Sequence, residues 1–213
     1  KSRGFSGLSV WQTNRWDPLS PTDAPEAPVK ITPMRIDLMR NEVRAEALNL
    51  LNATAQAQDV TVAIQGLPEA LSVTVRDVLF TDTRTRVPIA AALPEARKNA
   101  DGAFVSVPAG CSKQVWISIE KPAKPLAGEY QGTVRLTAKG WSQTIPLTVR
   151  VADLDFPEQV TMSFGGWDYT NGSAAYYRAP GNVDKLVAML REYHADTPWA
   201  TSAVTPKGAT FDE

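Results

Sequence analysis

The stretch "FGGWDYTNGSAAYY", residues 164–177, gathers side chains of the kind that handle sugars. Asp168 stands between Trp167 and Tyr169, and Gly165 and Gly166 precede them. Aromatic faces can stack on a pyranose ring, while a carboxylate accepts hydrogen bonds from its hydroxyls. The paired glycines let the backbone approach a ligand closely or turn sharply. Trp199, further along the chain, could point to the same place. A second reading stands beside this one: Trp167 and Tyr169 fill a gap between adjoining domains and touch no ligand.

Other chemically active groups are few. The one adjacent acid pair, Asp212-Glu213, has the composition that glycosidic cleavage requires, with one carboxyl to protonate the leaving oxygen and a second to assist. It follows the polar run "TPKGATF" and lacks an apolar strand to hold it, so no catalytic role is assigned to it. Asp153 and Asp155 are two apart and would share a strand face, which suits bridging or capping at a linker. The lone histidine, His194, falls at the end of a helical pattern, where the helix dipole favours a cation, and reads as structural. The lone cysteine, Cys111, follows a Pro-Ala-Gly turn and reads as a small half-buried thiol. There is no metal-ligand spacing, phosphate-binding glycine loop or dinucleotide fingerprint, so neither metal nor cofactor is expected, and no catalytic residue is assigned.

The elements that must position Asp168 show two different periodicities. Residues 1–33 carry five prolines, at 18, 21, 25, 28 and 33, and read as an extended arm pinned by Trp11 and Trp16. From residue 34 onwards a period of two takes over, in Val60/Val62/Ile64, Leu71/Val73/Val75, Val115/Ile117/Ile119, Tyr130/Val134/Leu136 and Ile145/Leu147/Val149/Val151. Turn signals separate these rows at Gly66-Leu67-Pro68, Asp101-Gly102, Pro108-Ala109-Gly110, Gly128 and Lys139-Gly140. About seven short antiparallel strands are predicted, forming an immunoglobulin-like β-sandwich over residues 34–157. Residues 40–52 mix helix formers with Asn49 and Asn52 and are assigned to a strand, and residues 86–97 suggest a helical turn cut by Pro94. Trp116 and Trp141 are placed on the outer faces of their strands. With Trp11 and Trp16 they would form the contact surface of a glycan- or protein-binding module, although cover from the arm or an adjoining domain accounts for them without a ligand.

At "ADLDFPEQ", residues 152–159, the alternation stops, which marks a boundary. "VTMSFGGW" reads as a short strand and "TPWATSAV" as another. Between them Val183, Leu186, Val187, Leu190 and Tyr193 form one stripe of an amphipathic helix, with Asn182 as N-cap and Asp184 at its positive end. Strand, helix and strand make a βαβ unit, which belongs to a parallel sheet or a barrel. A closed (β/α)8 barrel takes about 250 residues, and roughly 55 follow Pro157, so residues 158–213 are expected to begin a barrel and not to finish it.

The totals narrow the function classes. A chain of 213 residues with 43% hydrophobic and 21% charged side chains can bury a full core. A net charge of -1 with no dense basic run argues against nucleic acid or an anionic membrane surface as partner. No apolar run reaches the ~18–20 residues of a membrane span. The start at Lys1, without initiator methionine or signal peptide, reads as a processed or trimmed fragment.

Three stretches together resemble the family 123-type glycoside hydrolases: "VWQTNRWDPLSP", "LAGEYQGTVRLTAKGWSQTIPLTVRVADLDFP", and "MSFGGWDYT" leading into "LREYHADTPWA". The resemblance covers nearly the whole chain but only the front of such a protein. It implies a sandwich followed by a (β/α)8 barrel, and hydrolysis of N-acetylgalactosaminyl linkages with the substrate's own acetamido oxygen as nucleophile. An Asp that orients the acetamido group and an adjacent Glu acid are implied on a later barrel strand. Asp212-Glu213 does not match that context, so the roles are not carried onto it. Trp167, Asp168 and Tyr169 map to the first barrel loop. The implied partners are the rest of the barrel and a glycan, and the implied location is extracellular or periplasmic.

Overall fold

The computed structural model describes residues 4–17, 19–120, 127–158, 161–165 and 182–197. The chain divides into two compact units, Lys1–Phe156 and Pro157–Glu213. The described residues are mainly β. In chain order the strands are β1 (Leu8–Trp11), β2 (Met34–Arg40), β3 (Val43–Asn52), β4 (Gln58–Gln65), β5 (Ser72–Asp77), β6 (Leu79–Thr81), β7 (Ile89–Ala92), β8 (Arg97–Asn99), β9 (Gly102–Val107), β10 (Ser112–Glu120), β11 (Gly128–Ala138) and β12 (Trp141–Asp155). One helix follows in the second unit, α1 (Asn182–Glu192).

Two sheets share the main core of the first unit. One has four strands in the order β1-β3-β10-β5, the other six in the order β2-β12-β11-β4-β9-β8. Leu48 and Leu50 of β3 and Val115, Ile117 and Ile119 of β10 join Val60, Val134, Leu136, Ile145, Leu147 and Val149 of the six-stranded sheet in one buried cluster. Burying each such side chain contributes about 1.5–3 kcal/mol. The alternating rows of the sequence are therefore the inner faces. Of residues 40–52, Val43–Asn52 is a strand as expected, while Arg40 ends β2 and Asn41 turns the chain with φ at 57°. Gly132 sits where β4 leaves the sheet, and a Cβ there would lie 2.7 Å from the Gln65 carbonyl oxygen.

Polar side chains tie the two sheets together at one end. Asn52 is fully buried. Its Nδ2 donates to the carbonyls of Gln56 (2.8 Å), Val107 (3.0 Å) and Pro108 (3.2 Å), so the end of β3 is held to the end of β9. Its Oδ1 accepts from the amide (3.0 Å) and hydroxyl (2.7 Å) of Thr54. Nearby, the Lys113 ammonium pairs with Asp77 at 2.6 Å and donates to the Ser106 carbonyl at 3.2 Å, again touching both sheets.

The N-terminal segment departs from its loop-like reading. Leu8–Trp11 pairs with Asn49–Asn52 as a strand. Phe5, Trp11, Leu19 and Leu51 form a second buried cluster, and Phe80 and Ala90 pack against it. The amide of Ser112 donates to the Pro21 carbonyl at 2.7 Å. This cover explains why Ser112 and Gln114 are buried although they alternate with the inner row of β10. The polar groups beneath it are linked in series: Trp116 Nε1 donates to Gln114 Oε1 (2.6 Å), Gln114 Nε2 to Asn49 Oδ1 (3.2 Å), and Asn49 Nδ2 to Thr13 Oγ1 (3.0 Å).

Four further expectations are corrected. The strands are more numerous than seven, and β2 runs parallel to β12, from Met34 opposite Leu147 to Arg40 opposite Asp155. Residues 86–97 hold no helical turn. Ile89–Ala92 pairs with β6, and the pairing sets Phe80 and Ala90 against the cluster around Trp11. Beyond it, the Asp77 amide donates to the Pro94 carbonyl and the Ala96 amide to the Val75 carbonyl, after which β8 pairs with β9, so the segment passes from one sheet to the other. Trp141 packs against the main core and does not face outwards, because it shares the odd parity of Ile145 and Leu147. Finally, residues 161–165 are not a strand.

Replacing Asn52 with Ala leaves the Val107 and Pro108 carbonyls without their buried donor. The expected loss is about 1–3 kcal/mol, seen in urea unfolding as a lower midpoint with an unchanged slope.

Candidate functional site

The residues expected to meet a ligand, Trp167, Asp168, Tyr169 and Trp199, lie outside the described residues, as do Gly166 and the Asp212-Glu213 pair. The segments leading to them are described, and they are held together. The Phe164 amide donates to Asp196 Oδ1 at 2.8 Å. In return the amides of Asp196 and Thr197 donate to the Phe164 carbonyl at 2.9 and 3.2 Å. The Thr197 hydroxyl donates to the same Asp196 oxygen at 3.0 Å. The Phe164 amide, reinforced by that hydroxyl, holds the Asp196 carboxyl below the usual carboxylate range.

Gly165 acquires a specific reason in this arrangement. A Cβ at that position would run into the Thr197 backbone carbonyl. The close approach that the paired glycines suggested is, at Gly165, an approach to the chain's own backbone.

The helix that precedes Asp196 ends in a defined cap. The Ala195 amide donates to the Leu190 carbonyl (2.8 Å) and the His194 amide to that of Arg191 (3.2 Å), the two bonds of a Schellman motif. His194 takes the left-handed position of that motif, with φ at 56°. Its structural reading therefore acquires a backbone form. Asp184 in the first turn and Arg191 in the last complement the helix dipole. Val187 and Tyr193, from the apolar stripe, are exposed.

Asp153 and Asp155 are both engaged by Arg40, a buried residue at the end of β2. Arg40 Nε and Nη2 donate to the two oxygens of Asp155 at 2.7 and 2.9 Å, and Nη1 donates to Asp153. The two carboxylates hold the guanidinium above its ordinary pKa, Asp155 most strongly. This pair closes the parallel edge and offers no acid-base couple. Cys111 is a half-buried free thiol.

Two features of the first unit were missed by sequence reasoning. A cleft of about 480 Å³ opens between the sheets, floored by Val62, Ile64, Leu71 and Val73, with exposed Glu95 and Lys98 among its lining. The passage of residues 94–99 from one sheet to the other contributes Glu95 and Lys98 to its lining, and no local pattern announces that passage. The second is a difference between two tryptophans that the sequence reading groups together as contact candidates: Trp16 is 72% exposed and Trp11 is buried. Among the described residues no three His, Cys, Asp or Glu side chains are grouped to hold a metal ion, and no helix is long and apolar enough to cross a membrane.

No protein-family model matches the chain, and no curated protein matches it in sequence. Its fold does have a counterpart. A family 123 glycoside hydrolase from Clostridium perfringens, studied for glycolipid glycan hydrolysis, aligns with a TM-score of 0.57 at 14% identity. The alignment covers 78% of this chain and 32% of that one, so the chain spans about a third of that hydrolase's length. At this identity the likeness is one of fold. The CupB2 chaperone of Pseudomonas aeruginosa gives a TM-score of 0.35 at 16% identity, over 58% of this chain and 54% of that one. PapD-like domain 7 of human CEP192 gives 0.33 at 10%, over 59% and 86%. Scores this low carry no functional argument.

Two outcomes are expected for the second unit. Gly165→Ala forces Phe164 and Thr197 apart, and the Asp196 and Thr197 amides then exchange with solvent faster in hydrogen-exchange NMR. The Asp196 latch also depends on pH. A carboxyl whose pKa is lowered by folding contributes fully above its unfolded pKa, and the contribution is lost as pH falls through the lower, folded value. The Phe164 amide shift should follow that titration below the ordinary carboxylate range, and Asp196→Asn should abolish it.

Proposed function

We propose that this chain is the N-terminal, non-catalytic part of an exported glycoside hydrolase acting on N-acetylhexosamine-containing glycans. In this reading the first unit is an accessory immunoglobulin-like sandwich. Residues after Pro157 begin a (β/α)8 barrel whose remainder supplies the acid pair. The observation that carries the reading is the fold likeness to a family 123 hydrolase over 78% of this chain but 32% of that protein. The three stretches quoted above support it separately, because their likeness to the family lies in the residues.

The barrel mouth is where βα loops deliver substrate contacts. Trp167 and Tyr169, with Trp199, would line it as stacking surfaces, and Asp168 would accept hydrogen bonds from sugar hydroxyls. Asp196 and Gly165, by joining the leads to these residues, are positioning residues and not catalysts. The protein would work outside the cytoplasm, extracellular or periplasmic, with the rest of its own barrel as partner.

A second reading, a glycan- or protein-binding module without hydrolase activity, is favoured by one observation, the exposed Trp16.

An aryl N-acetylgalactosaminide separates the two. The purified 213-residue chain is expected to release no aryl alcohol, with or without chelator. The chain expressed with whatever coding sequence follows Glu213 is expected to release it. Turnover by the chain alone, or none by the extended protein, would overturn the proposal.

A further inference from the structure

The N-terminal segment treats its two tryptophans in opposite ways. Trp11 is 8% exposed and belongs to the second buried cluster, whereas Trp16 is 72% exposed. Leaving an indole in water forgoes the stabilisation that burial of a large apolar side chain gives. Yet Trp16 is not loose. Its ring meets that of Trp116 edge to face, with centroids 5.5 Å apart and planes at 77°. The Arg15 guanidinium lies 5.3 Å from its ring centroid. Arg15 is anchored in turn by Glu46 at 3.1 Å. Below, the Trp16 amide donates to Asn14 Oδ1 at 3.1 Å, and the Asp17 amide closes the same turn on the Asn14 carbonyl at 3.0 Å.

Trp116 is fixed as well, through the series of bonds that runs to Gln114, Asn49 and Thr13. The result is an aromatic surface, exposed at Trp16 and half-buried at Trp116, whose orientation is set before any ligand arrives. Such preorganisation removes much of the ordering cost of binding.

The neighbouring polar groups narrow the ligand. Arg15 and Glu46 neutralise one another, so the patch offers no net field to a nucleic acid or another polyanion. They do offer donors and an acceptor beside an open apolar face, since a guanidinium has five N–H groups and a carboxylate about four lone-pair sites. A ligand with one apolar face and a rim of hydroxyls that both give and accept hydrogen bonds meets this description, and a pyranose is such a ligand.

We propose that Trp16 and Trp116, with Arg15 and Glu46 at their side, form a carbohydrate-binding surface on the first unit that stacks a pyranose ring of a glycan chain. It goes beyond the hydrolase reading, and either can fail alone.

Titration followed at the indole N–H resonances tests it, with β-1,4-linked N-acetylglucosamine hexaose and cellohexaose as probes. The Trp16 and Trp116 signals are expected to shift and saturate with at least one probe. Trp16→Ala is expected to weaken that binding about tenfold or more, which corresponds to ~1.4 kcal/mol, without lowering the melting temperature. Arg15→Ala is expected to change the preference between the two probes. The proposal is overturned if neither probe moves these signals at millimolar concentration, or if Trp16→Ala binds as the wild type does. Shifts confined to Trp167 and Trp199 would also overturn it, while leaving the barrel-mouth reading intact.

Discussion

Much of the outer face of β3 and β10 is shut off from water, and much of the first unit follows from that. A strand pair with one core face would normally leave its other face solvated. Here the N-terminal segment lies over it, and every polar group on that face must find a protein partner or cost about 1–3 kcal/mol. Asn49, Gln114, Ser112 and the Trp116 ring nitrogen all do. The same cover decides which tryptophan is buried and which is left at the rim.

The inner faces are legible in the sequence because period-two alternation is a local property. Val60, Val134, Ile145 and Ile117 are each where their spacing puts them. The turns between them are legible for the same reason. What local pattern cannot show is the second layer. Ala90 to Ala92 favour helix on their own, but Phe80 across the hairpin gains a hydrophobic seat beside Trp11 only if both runs are extended. Trp141 illustrates a plain misreading of parity.

The candidate site was legible in kind more than in partner. A glycine pair beside aromatics announces close approach, but nothing local says that Gly165 approaches Thr197. The apolar stripe puts His194 at a helix end, as the structure does, while its left-handed backbone is a feature usually signalled by Gly or Asn. The spacing of Asp153 and Asp155 suits a structural bridge, but their partner, Arg40, lies 113 and 115 residues earlier in the chain, beyond the reach of any spacing rule.

That long span bears on how the protein is made. The parallel pairing of β2 with β12 joins an early strand to the last one of its unit, and Arg40 rivets the joint. During synthesis β2 emerges first and has no mate until nearly the whole unit has left the ribosome. Pairings of such sequence separation form late and slowly, and an orphan strand edge invites unwanted company in the interval. The nascent chain therefore passes through a period of exposure that the finished fold conceals, and Arg40 spends it as a charge without its counterions.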